Sequence, residues 1–327
     1  MTASAPPSAH SLRGAGAPGA GGPPAHGLGV AAVLGAAVLW GTTGTASALA
    51  PAVSPLAIGA ASMGFGGLLL AAVASRQIQA GWSALARSWR PVLSGGAAIA
   101  VYALAFYSSM RLAGVAIGTA VSIGAAPIIA ALLERFLDHR PLSPRWGAGA
   151  ALGIAGAVIL CLAREGGEAG DGVSTVVGAG LGLVAAASYA LYSWAGHRVM
   201  QRGVSSGAGM GAMFAVAAVP LLAILAATGA AFLDSWAHAA VGAYLAVVPM
   251  FAGYVLFAHG LGRVGASTAT TVSLAEPVVA AVLAVAVVGE VLTLPAWGGM
   301  GLIVAGLAVL TVPVGAVARR APARGDG

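Results

Sequence analysis

Residues Thr119–Pro127 read Thr-Ala-Val-Ser-Ile-Gly-Ala-Ala-Pro, and the pattern returns as Thr-Thr-Val-Ser-Leu-Ala-Glu-Pro at Thr270–Pro277. Each copy lies in a long apolar run and leads through a polar hinge to Pro-x-Trp-Gly, at Pro144–Gly147 and Pro295–Gly298. A Gly/Ala/Val/Leu segment follows each time. A membrane chain that repeats itself in this order encloses a site between its two halves, the architecture of carriers.

Composition sets the class. Of 327 residues, 59% are hydrophobic and 7% charged, with a mean hydropathy of +0.94. So little charge over this length implies an all-α polytopic membrane protein. A membrane β-barrel would show short alternating segments, whereas these runs are continuous. All 15 basic residues are Arg. Without Lys there is no Walker A phosphate loop and no Schiff-base chemistry. Cys161 stands alone in an apolar run, so no disulfide framework or thiolate zinc site arises. No His-Glu-x-x-His, Gly-x-Ser-x-Gly or clustered Asp/His set occurs, which argues against an enzyme and calls for no metal and no cofactor.

Residues 1–27, rich in Ala, Gly and Pro, read as a disordered arm. Ten spans are expected near 28–49, 56–75, 91–110, 113–133, 144–163, 175–196, 207–229, 239–260, 265–288 and 296–317, each close to a bilayer's requirement. With the N-terminus inside, thirteen Arg fall on cytoplasmic connections and only Arg111 and Arg164 outside. Five spans per repeat is odd, so the second half is inverted relative to the first. The expected organisation is a first repeat over 28–163, an outer loop over 164–174, a second repeat over 175–317 and a basic cytoplasmic tail over 318–327. The net charge of +6 is then positive-inside topology, with no nucleic-acid partner implied.

Trp40-Gly41, the Pro127 segment, and the run from Glu276-Pro277 through Gly289-Glu290 to Trp297-Gly298 resemble the EamA family of the drug/metabolite transporter superfamily. The resemblance covers residues 28 to 317 as two units and is stronger in the second. It implies ten spans around a central cavity and movement of small organic solutes, often outward. One departure stands out. Where the family's first unit carries Gly-Glu-Arg-Pro, this chain has Asp138-His139-Arg140-Pro141, so His139 replaces an acid.

Glu276 is the sharpest candidate, because a carboxyl near the middle of the ninth span is costly unless it faces protein or water. It could bind a cationic group, or take up and release H+ as the site is wetted and dried. Pro277 and Pro127 lack an N–H, and are expected as hinges that free the carbonyls of Ser273 and Ile123. Thr270, Ser273 and Glu276 share one helix face at a spacing of three, echoed by Thr119 and Ser122 in the other half. Trp40, Tyr102, Tyr189 and Tyr254 lie well inside spans, and Thr43 and Tyr192 continue the faces of Trp40 and Tyr189. Inward-facing aromatics would wall a cavity for a planar or amphipathic solute. Glu290 is expected at the outer rim. Gly149-x-x-x-Gly153 and Gly178-x-x-x-Gly182 permit close helix contact.

These features predict a secondary transporter, an exporter of small organic metabolites or drugs working by alternating access, with both termini cytoplasmic in a multi-pass inner (cytoplasmic) membrane protein. Its partners are the small-molecule substrate, the lipid bilayer and coupling H+, with a homodimer as a further candidate. The competing expectations are a lipid or lipid-linked-sugar translocator and a non-transporting membrane scaffold.

Overall fold

The computed structural model describes residues 23–137, 139, 144–163, 171–264, 272–273 and 275–311, and among these no strand occurs. Apolar helices follow one another through short links. They are α1 (Pro23–Ala48), α2 (Pro55–Val73), two short helices α3 (Ser75–Ala80) and α4 (Trp82–Arg87), and α5 (Trp89–Ala113). After them come α6 (Val115–Gly124), α7 (Ala126–Leu137), α8 (Pro144–Leu162), α9 (Asp171–Gln201) and α10 (Ser206–Thr228). The last stretch holds α11 (Trp236–Leu245), α12 (Gly253–Val264), α13 (Ala275–Leu283) and α14 (Leu294–Thr311). A wide π-turn, Ala246–Ala252, joins α11 to α12, and another, Ala284–Val288, continues α13.

Seven helices among the described residues are long and apolar enough to cross a bilayer, against ten expected; Ala275–Val288 and Leu294–Gly306 are shorter apolar helices. The arm before residue 23 and the tail after 311 lie outside the described residues. Helix α9 begins at Asp171, inside the stretch expected as outer loop.

Local chemistry starts and stops these helices. The Ser54 hydroxyl caps α2 by accepting from the Ala57 N–H at 3.1 Å, with Pro55 as its first residue. Ser205 and Ser235 cap α10 and α11 in the same way. Lipid offers helices no hydrophobic drive to associate, so close approach of small residues does the work. A Cβ at Gly178 would stand 2.6 Å from the Ala113 nitrogen, and one at Gly156 2.5 Å from the Gly299 carbonyl oxygen. Neither position admits any side chain.

The packing is cross-wise. Helix α1 lies on α12 and α13, and α9 lies on α5, α6 and α7; α2 pairs with α10 and α8 with α14. Each of the first two sets joins early to late chain. The result is two helix groups, one built around α1 and the other around α9, that face each other.

Candidate functional site

Proline sets the α1 group's side of the site. Pro249, inside the first π-turn, lacks an N–H, which deprives the Leu245 carbonyl of its α-helical donor. The Ser62 hydroxyl donates to that carbonyl at 3.3 Å, and Tyr107 donates to Ser62 at 3.1 Å. The carbonyl of Pro249 itself accepts from the Trp40 indole N–H at 3.0 Å. So anchored, the Trp40 ring packs on Tyr254 and Phe257, each at 5.3 Å between centroids, and Phe214 sets its edge on Tyr254 at 5.6 Å.

The α9 group answers with a second aromatic cluster. Tyr102 stacks on Phe106 at 5.3 Å and meets Tyr189 at 5.9 Å and Tyr192 at 6.1 Å. Tyr189 and Tyr192 are 5.0 Å apart. Tyr192 and Tyr254 bring the two clusters side by side. Glu276, half-buried in the first turn of α13, lies close enough to Tyr102, Tyr189 and Tyr254 for its charge to be felt at all three. One carboxyl thus lies within electrostatic reach of tyrosines from both groups.

Tyr189 is 37% exposed although it points away from the lipid-side residues Leu183, Val184 and Ala187 of α9. Ser193, His197 and Gln201 continue its face at intervals of four, all exposed, with His197 and Gln201 hydrogen-bonded at 2.9 Å. A polar stripe of this kind inside a span faces protein or water, since lipid offers it no partner. At the opposite end a separate cavity of about 280 Å³ lies between Ser47, Tyr107, Met110, Arg111, Gly114 and Glu290; Glu276 is not part of its lining.

Trp40, Tyr102, Tyr189, Tyr192, Tyr254 and Glu276 therefore come together. Ser122 and Thr119 lie elsewhere. Ser122 is fully buried, and a Cβ at Gly182 would stand 3.3 Å from its hydroxyl, so it lies in the dry seam between α6 and α9. Thr119 donates to the Met110 sulfur at 3.5 Å in the neighbouring seam with α5. Thr43 is buried on α1. Ser273 is half-buried one turn before Glu276, and Thr270 falls outside the described residues.

The helix breaks at Ala125 ahead of Pro127, but Ala125 keeps helical dihedrals, and the bonds from Ala125 N–H to Val121 and from Ile129 N–H to Ala125 carry across the break. Glu276 and Pro277 stand in the first turn of α13, with Val272 and Ser273 helical before it and residue 274 outside the described residues.

Sequence reasoning missed Phe106, Phe214, Phe257, the Tyr107–Ser62–Leu245 chain, and the Thr42–Tyr244 hydroxyl pair at 2.8 Å. Pro249 was the available signal, because a proline at membrane depth announces an orphaned carbonyl that needs a donor. Among the described residues no three His, Cys, Asp or Glu side chains converge as a metal site.

Comparison with known proteins adds independent findings. The sequence model of the EamA-like transporter family matches twice, over residues 27–162 and 176–312. An uncharacterized transporter of Bacillus subtilis (strain 168), YwfM, is 34% identical over 284 residues, 85% of this chain and 92% of that protein. The aromatic amino acid exporter YddG of Ancylobacter novellus is 32% identical over 133 residues, 40% of this chain and 45% of that protein. A solved crystal structure, 25% identical, matches with a TM-score of 0.54 over 91% of this chain and 98% of its own.

Proposed function

The chain belongs to the EamA-like transporter family, and on that premise we propose that this multi-pass membrane transporter is a secondary carrier exporting small organic solutes with an aromatic or cationic part. Its two halves form ten spans as inverted five-helix repeats in the cytoplasmic membrane, with both termini cytoplasmic. The cross-wise packing supports this reading, because exchanging the first five spans for the last five maps the α1 contacts onto the α9 contacts.

One observation carries the proposal: two aromatic clusters, one from each helix group, converge on the single carboxyl of Glu276 beside a polar stripe open to water. Tyrosine and tryptophan faces hold planar rings and organic cations, and their hydroxyls orient polar ends. The carboxyl supplies the charge that a cationic solute or H+ would exchange. Rocking of the α1 group against the α9 group, with bending at the helix starts that hold Pro127 and Pro277, exposes the site to each side in turn. The exporter named among the relatives supports an outward direction and an aromatic cargo.

The test is transport by the purified protein in liposomes, with aromatic amino acids and cationic dyes as solutes, with and without an imposed pH gradient. Wild type should accumulate at least one solute in response to the gradient, and Glu276→Gln should not respond. Identical gradient dependence in the two proteins would remove Glu276 from coupling. Failure of every solute to move would leave the scaffold reading in possession.

A further inference from the structure

The Glu290 carboxylate does something no neighbouring carboxyl does: it caps a helix from the other half of the chain. It follows the second π-turn through Gly289, whose φ of +80° turns the chain sharply. Its two oxygens accept from the backbone N–H groups of Val115 at 2.5 Å and Ala116 at 3.1 Å, the opening residues of α6. The residue ahead of α6 is Gly114, at φ +90°, which has no side chain to cap with. A Cβ there would stand 3.1 Å from a Glu290 oxygen. The cap therefore has to come from elsewhere, and it comes from the end of α13. It ties the α1 group to the α9 group on one flank of the outer cavity.

We propose that Glu290 is a latch: it positions the outer ends of the two helix groups against each other. Outer opening must then break a charged double cap. The proposal rests on the two groups being the moving bodies of a carrier.

Labelling tests it without any cargo. In the full-length Cys161→Ser protein, Ala48→Cys reports on the outer cavity and Ser193→Cys on the inner stripe, each reacted with a membrane-impermeant thiol reagent in sided vesicles. Glu290→Gln should speed modification of Ala48→Cys on the order of tenfold, the worth of a lost helix cap, and should slow Ser193→Cys, because favouring one opening depletes the other. Unchanged rates, or both rates rising together as general loosening would cause, overturn the proposal. Glu290→Asp, which keeps the charge on a shorter side chain, is the second arm and stands even if Glu290→Gln fails to fold. It should speed Ala48→Cys by less than Glu290→Gln does, and no change there overturns the latch. A shift in labelling with no transport of any solute would keep the latch and discard the carrier reading.

Discussion

Ala126 and Glu276 each stand directly before the proline of their repeat, yet they live in different worlds. Ala126 is 2% exposed, at the start of a helix packed on α9. Glu276 is half-buried and within electrostatic reach of tyrosines from both helix groups. The two copies of the pattern also differ in length between threonine and proline, nine residues against eight.

The largest effect should come from erasing the unequal residue. Glu276→Gln is expected to lower gradient-driven transport on the order of a hundredfold, while Ala126→Ser leaves it within about twofold, both measured as initial rates in liposomes. Moving the carboxyl across should hurt stability instead. Ala126→Glu puts an unpartnered acid into a closed seam and should cost about 3 kcal/mol or more, seen as a lowered melting temperature in detergent. Glu276→Ala should lose no stability by the same measurement, since that carboxyl serves the site and not the fold.

Smaller effects sharpen the picture of how the two groups meet. Tyr192→Phe removes a hydroxyl from the Tyr102–Tyr189–Tyr192 cluster and should raise the solute KM by several-fold, about 1 kcal/mol, with turnover less affected. Ser62→Ala removes a side-chain donor to the Leu245 carbonyl and should cost about 1 kcal/mol of stability. Its gradient dependence should match wild type, because the lost bond braces the Trp40 wall and does not touch the carboxyl.

How much of this was legible in the sequence varies by residue. The Trp40 and Tyr189 pair could be found because the repeat register assigns them corresponding places, and a ring at mid-span in both halves has few reasons to face lipid. Glu276 was legible from its cost in a membrane. Ser122 misled, because a spacing of three tells which residues share a face but not which neighbour that face meets; Gly182 lets α9 approach so closely that the face is sealed. The interruption at Ala125 was hidden because Pro127 suggests a kink at its own position. The Glu290 cap was beyond reach, since it joins residues 175 apart in the chain through turn geometry that no periodicity encodes.

The central claim is that the second copy of the pattern opens on a wet chamber and the first does not. Placing cysteine at each position, Glu276→Cys and Ala126→Cys in the Cys161→Ser protein, and timing their reaction with a small water-soluble thiol reagent compares the two directly. The account predicts ready modification at 276, slowed by any transported solute, and none at 126 until the protein unfolds. Equal reactivity at the two positions, or an inert 276 beside a reactive 126, would contradict it.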